Sequence, residues 1–300
     1  MAIHQNVLEL IGNTPVVKAQ RLDTGPCSLF LKLESTNPGG SIKDRIGLSL
    51  IEDAERTGKL KPGGVLVEGT AGNTGLALAL VAQQKGYRLI LVVPDKMSRE
   101  KIFNLKAMGA EVILTRSDVA KGHPDYYQDL AARIASETPG AYFINQFGNP
   151  DNPLAHFDGT GPEIWQQTGG QITHFVSSMG TTGTIMGTSR FLKSKNAAIE
   201  IIGCQPADGA QIPGIRKWPE AYLPRIYDAS RVDRIESVNQ ADAEEMTRRL
   251  AREEGIFAGI SSGGAMAVAV RIAEQVSDAV IVSIVCDRGD RYLSTGVFPA

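Results

Sequence analysis

The sequence predicts an α/β protein with mainly parallel sheets flanked by helices. Two observations carry that expectation. Short apolar, β-branched runs alternate with segments of helical period along the chain, the pattern of parallel strands joined by crossover helices. Turn residues separate nearly every unit. The length, 300 residues, is enough for two domains of about 150 residues.

In the first half, CSLFLKLE (27–34) is expected as a strand and SIKDRIGLSLIEDAERTG (41–58) as a helix; GVLVEG (64–69) is a strand and TGLALALVAQQKG (74–86) a helix. YRLILVVP (87–94), EVILTR (111–116) and AYFIN (141–145) continue as strands, separated by helices at 98–110 and 124–137. QFGNPDNPLAH, with two prolines and several Asn and Asp residues, suggests a crossing between domains. The second half repeats the pattern, with strands at 172–178, 199–206 and 278–286 and helices at 182–195, 240–255 and 262–276. An irregular stretch, ADGAQIPGIRKWPEAYLP, follows the strand at 199–206. In such sheets ligands bind beyond the carboxyl ends of the strands.

Composition narrows the function classes. Hydrophobic residues make up 42% and charged residues 21%, and the net charge of -2 leaves no basic stripe, so no nucleic-acid partner is expected. Small molecules or other protein chains remain. Cys27, Cys204 and Cys286 lie far apart, an odd set that argues against a disulfide framework. No leader pattern and no run of 18 apolar residues occurs, so a cytoplasmic protein without a membrane partner is expected. His4, His123, His156 and His174 have no metal-ligand spacing. No metal is assigned, and His174 is expected to be a satisfied core residue.

Four strand-to-helix turns are rich in Gly, Ser, Thr and Asn: NPGGSIKDR, EGTAGNTG, SSMGTTGTIMG and GISSGGA. Each puts backbone N–H groups and small hydroxyls at a helix start, where anions are favoured. One such turn is ordinary fold chemistry; four suggest a ligand cavity. SSMGTTGTIMG suits a phosphate but is neither GxGxxG nor a P-loop. EGTAGNTG offers a second cradle for a carboxylate, with Asn73 alternatively meeting an oxygen on a cofactor. In NPGGSIKDR, Ser41 and Asp44 have capping-box spacing and place Lys43 in the first turn. A cation there is disfavoured by roughly 0.3–1 kcal/mol. It is either solvated or kept as a usable amine, able to form a Schiff base with an aldehyde.

Taken together in this order, the four motifs resemble those of fold-type II pyridoxal-phosphate enzymes, the cysteine synthase and cystathionine β-synthase group. TGPEIWQQTGG, IPGIRKWP and CDRGDRYLSTGVF are most similar to the group's B-type cysteine synthases. The resemblance implies a two-domain, tryptophan synthase β-like architecture. A smaller, mobile domain over 36–147 would carry the carboxylate loop, and 1–35 plus 148–300 would carry the phosphate loop. It implies pyridoxal 5'-phosphate bound through Lys43, which also takes the substrate Cα proton. Gly180, Thr181, Thr182, Gly183 and Thr184 would hold the phosphate, Asn73 the ring 3'-oxygen and Ser261 the ring nitrogen, with Cys286 and Asp287 lining the far side. Thr70, Ala71, Gly72, Asn73, Thr74 and Gln146 would take the substrate carboxylate. Ala71 departs from the group, which often has Ser there, so one hydroxyl is missing.

The reaction so implied is β-replacement, giving L-cysteine from O-acetyl-L-serine and sulfide. Arg216 matches an arginine of the B-type enzymes and would admit an anionic donor such as thiosulfate, giving S-sulfocysteine; its alternative is a solvated loop residue. Two other readings stand beside this one: a cystathionine β-synthase-like condensation with homocysteine, and a non-catalytic cofactor- or metabolite-binding protein. The group's members imply a homodimer, while binding to serine acetyltransferase stays open.

Overall fold

The computed structural model describes residues 3–70 and 72–298. Strands β1 (Val16–Lys18) and β2 (Ser28–Leu33) lead into α1 (Lys43–Arg56), β3 (Val65–Gly69), α2 (Asn73–Lys85) and β4 (Arg88–Pro94). Next come α3 (Arg99–Ala107), β5 (Glu111–Thr115), α4 (Tyr127–Glu137), β6 (Ala141–Phe143) and α5 (Asp151–Ala155), which a π-helical turn (His156–Thr160) joins to α6 (Gly161–Gln167). There follow β7 (His174–Ser178), α7 (Gly183–Lys195), β8 (Glu200–Pro206), β9 (Arg234–Val238), α8 (Gln240–Glu253), α9 (Ile260–Ala273) and β10 (Val280–Val285). The fold is α/β with mainly parallel sheets flanked by helices.

Three local differences from the sequence expectation have physical reasons. Residues 151–167, expected as a crossing followed by an unassigned stretch, are helical. Pro153 falls in the first turn of α5, where proline's missing N–H removes no intrahelical bond, and Pro162 follows directly on the π-helical turn that Gly161 N closes by donating to His156 O. β1 and β9 were not anticipated; both are edge strands, paired on one side only, so charged residues such as Arg234 and Glu236 interrupt their apolar signal. Helix α1 begins at Lys43 and not at Ser41. Ser41 instead forms a backbone bridge with Asp287, and Ile42 N donates to Cys286 O at 2.9 Å.

The chain divides into two compact units: the residues up to Ile11 with Lys43–Asp151, and Gly12–Ile42 with the residues from Asn152 onward. The first has a four-stranded parallel sheet ordered β5-β4-β3-β6. β3, hydrogen-bonded on both sides, is buried throughout, which explains its unbroken VLV run. Val65, Val67, Ile90, Val92 and Ala131 make the core beneath α4. Full burial of each such valine or isoleucine is worth about 1.5–3 kcal/mol. α1 and α2 touch so closely that a Cβ on Gly47 would lie 3.0 Å from Ala77 Cβ.

The second unit has a six-stranded sheet ordered β1-β2-β10-β7-β8-β9, parallel except for β1 against β2. α9 is buried on nearly every side, so its apolar residues show no amphipathic stripe. α8 can approach it because Gly263 lacks a side chain: a Cβ there would lie 2.0 Å from Thr247 Oγ1. Phe175, Ile185, Leu192 and Ile201 form a second apolar cluster. His174 is partly buried at the start of β7; its Nε2 lies 3.3 Å from Glu200 Oε2, and burial pushes its pKa down. Among the described residues, no helix is long and apolar enough to cross a membrane.

Candidate active site

In the first unit the chemistry gathers where β3 and β6 end and α2 begins. Lys43 is the half-buried first residue of α1, and Asn73 the first of α2. Each lies four residues, one helical turn, before the Gly47–Ala77 contact. Gly72 stands at the N-cap of α2 with no side chain to close it, and its N–H donates to Thr70 Oγ1 at 3.2 Å. The turn therefore leaves an N-terminus suited to an anion. Thr74 is buried and donates through Oγ1 to Gln146 Oε1 at 2.7 Å. Thr74 and Gln146, 72 positions apart, are brought together because β6 lies beside β3. Ala71 lies outside the described residues.

In the second unit, the turn between β7 and α7 is shaped by crowding. A Cβ on Gly180 would sit 2.7 Å from Gly214 O, and one on Gly183 would sit 1.8 Å from Asn152 Oδ1. Thr182 has φ 72°, a left-handed conformation that a β-branched residue adopts only at a cost of about 1–3 kcal/mol. Its Oγ1 is buried and meets no hydrogen-bond partner among the described residues. Support comes from below: Asn152 Nδ2 donates to Thr181 Oγ1 at 3.5 Å, and His156 Nε2 lies 3.3 Å from Thr184 Oγ1. Trp218 Nε1 donates to Gly180 O at 2.8 Å.

Three more predicted residues lie at the same end of this sheet. Ser261 is buried in the first turn of α9, and its carbonyl accepts from Ser178 Oγ at 2.7 Å. A Cβ on Gly214, where φ is +87°, would approach Ser261 Oγ to 3.1 Å, so this glycine brings the loop against both Gly180 and Ser261. Cys286 N donates to Ser262 Oγ at 2.9 Å, and buried Asp287 accepts from Tyr292 OH at 2.7 Å. Arg216 is exposed on the loop that Gly214 begins; its backbone N–H donates to Met179 O at 2.8 Å, and its guanidinium lies 5.1 Å from the Trp218 ring centroid.

This double set of anion cradles at strand ends can be compared with known proteins. The family described as pyridoxal-phosphate dependent enzyme matches residues 7–287. The chain belongs to that family. Cysteine synthase B of Escherichia coli (strain K12) is 56% identical over 293 residues, 97% of this chain and 95% of that protein. Cysteine synthase B of Pseudomonas aeruginosa is 53% identical over 296 residues, 98% of each. The crystal structure of cysteine synthase from Entamoeba histolytica matches with a TM-score of 0.91 at 36% identity, over 100% of this chain and 92% of that one.

As a pyridoxal-phosphate-dependent enzyme, the chain has a turn that fits the cofactor's phosphate. Among the described residues no side chain caps the N-terminus of α7 and none partners the buried Thr182 Oγ1, and Gly180 and Gly183 have no room for a Cβ. The supporting residues Asn152, His156, Gly214 and Trp218 escaped sequence reasoning. IPGIRKWP and NPDNPLAH contain them all, but nothing in those strings indicates which turn they support.

Proposed function

We propose that this pyridoxal-phosphate-dependent enzyme is a cysteine synthase, forming L-cysteine and acetate from O-acetyl-L-serine and sulfide. Supporting this reading is the 53–56% identity to two bacterial cysteine synthases B over nearly the full chain. Bound pyridoxal phosphate supplies the electron withdrawal that makes the substrate Cα–H acidic and lets the β-acetoxy group depart.

The chain's own residues do the rest. Lys43 holds the cofactor and moves the Cα proton. Gly180, Thr181, Thr182, Gly183 and Thr184 bind its phosphate, with the α7 dipole adding to the hydrogen bonds. Asn73 orients the ring through its 3'-oxygen. Ser261 meets the ring nitrogen with a neutral hydroxyl, which favours elimination over transamination. Cys286 and Asp287 line the far side. Thr70, Gly72, Thr74 and Gln146, with Ala71, orient the substrate carboxylate, and closure of the smaller domain excludes water.

Arg216 draws an anionic sulfur donor such as thiosulfate, giving S-sulfocysteine. The working form is a homodimer in the cytoplasm, without nucleic acid. A donor panel tests the reading: purified enzyme with O-acetylserine should turn over sulfide, and Arg216→Ala should lose thiosulfate turnover selectively. Turnover with homocysteine alone would overturn it. Lys43→Ala should lose the yellow colour of lysine-bound cofactor.

A further inference from the structure

A buried acid beneath the proposed carboxylate loop has no task in the chemistry above. Glu68 on β3 is 1% exposed. Its register partner on β4 is Leu91, and the preceding Val67 pairs with Phe143 on β6. Glu68 Oε2 accepts from Asn145 N at 2.8 Å, and Oε1 accepts from Gln146 Nε2 at 3.1 Å. Gln146 Oε1 in turn accepts from Thr74 Oγ1 at 2.7 Å. The result is a one-way chain, Thr74 to Gln146 to Glu68, in which each donor points inward. Asn145, at φ 54°, is fixed in a left-handed turn by the same carboxylate.

A proton on Glu68 Oε1 reverses this chain. The carboxyl then donates to Gln146 Oε1, the amide turns over, and Nε2 donates to Thr74 Oγ1. The Thr74 proton is released to donate outward. Asn145 keeps its bond to Oε2 in both states, and the amide exchanges O for NH₂ at nearly constant shape. Burial favours the protonated form: it pushes the Glu68 pKa up to about 8, against hydrogen bonds from the Gln146 side chain and the Asn145 and Gln146 amides. Tyr142 on β6 is the titratable group that responds to its charge, along with those of Asp53 and Asp151; on α4, Tyr127 packs at the neighbouring Gly69.

We propose that Glu68 is a positioning residue of the substrate site: its proton sets the facing of the Gln146 amide, and so whether Thr74 donates inward or to the substrate carboxylate. This rests on the reading of Thr74 and Gln146 as carboxylate ligands.

Glu68→Gln in the holoenzyme tests it, because the amide accepts from Asn145 and donates to Gln146 as the protonated acid does. In the unaltered enzyme KM for O-acetylserine should rise about tenfold more between pH 7 and 9 than in Glu68→Gln, the worth of one hydrogen bond to a charged group, with kcat moving less. The substrate's own amine titrates alike in both proteins. Infrared difference spectra should show a protonated-carboxyl stretch at pH 7 that fades at high pH and is absent from Glu68→Gln. Identical pH profiles, or no such stretch in the unaltered protein even if Glu68→Gln fails to fold, would overturn the proposal. Thr74→Val separates the two readings. If it leaves KM unchanged, the carboxylate assignment fails; if it raises KM while Glu68→Gln follows the unaltered profile, only the role of Glu68 fails.

Discussion

Gly183→Ala is the most direct perturbation of the proposed phosphate turn. The new Cβ would stand 1.8 Å from Asn152 Oδ1, 2.5 Å from its Cγ and 3.0 Å from its Nδ2. Bringing the closest of these to an ordinary contact requires a shift of well over an ångström. Asn152 is fully buried and cannot swing into solvent, so either it releases Thr181 or the first turn of α7 moves. Overpacking of this kind costs about 1–3 kcal/mol. If the strain falls on the turn, cofactor affinity drops about tenfold to a hundredfold, at 1.4 kcal/mol per decade. Equilibrium titration of the apoprotein with pyridoxal phosphate, paired with thermal unfolding of the apoprotein, measures both parts. Asn152→Ala removes the three clashing atoms, so the double variant should bind better than the sum of the single effects predicts. Unaltered affinity and unaltered stability in Gly183→Ala would refute the close-packed cradle.

Three further outcomes follow from the same geometry. Trp218→Phe deletes the indole bond to Gly180 O and should weaken cofactor binding by about 0.5–1.5 kcal/mol, read in the same titration. Glu254 accepts from the amides of Gln20, Arg21 and Leu22, and those bonds hold its pKa below the usual range despite burial. Glu254→Ala should lower stability at neutral pH by about 1–2 kcal/mol after allowing for partial exposure, a difference that closes as pH falls through the depressed folded-state pKa. Burial and the neighbouring Asp53 carboxyl raise the Asp151 pKa to about 6. The folded state thus holds that proton more tightly than the unfolded chain, and stability should fall as pH rises from the ordinary aspartate range through about 6. Asp151→Asn should flatten that slope in denaturant midpoints across the same window.

The legible parts of the fold were those whose causes are local. β3, β4 and β10 announce themselves as apolar β-branched runs, and Thr70–Thr74, Gly180–Thr184 and Ser261 stand out because glycine and small hydroxyls mark a strand handing over to a helix. The helices at 151–167 were hidden because prolines disguise their first turns. Ser41 looked like a cap, yet its backbone pairs with Asp287, 246 positions away. Asn152, His156 and Trp218 bond to the turn between β7 and α7 from 28 to 38 positions along the chain. Such support depends on sheet order, which local spacing does not encode. Glu68 was in plain view in EGTAGNTG, but an acid at a strand end looks solvated until the neighbouring strands cover it.

If Thr182 holds the cofactor's phosphate as proposed, it would join protein lifetime to cofactor supply. A threonine kept in a left-handed conformation, its buried hydroxyl unpartnered among the described residues, lowers the stability of the apoprotein. A phosphate bound there only in the folded state would stabilise that state by mass action, by RT ln(1 + [L]/Kd). Cofactor concentration would then influence how much of this polypeptide stays folded as well as how much of it is active. A glycine at 182 would relax the apoprotein and weaken that dependence, trading metabolic responsiveness for shelf life.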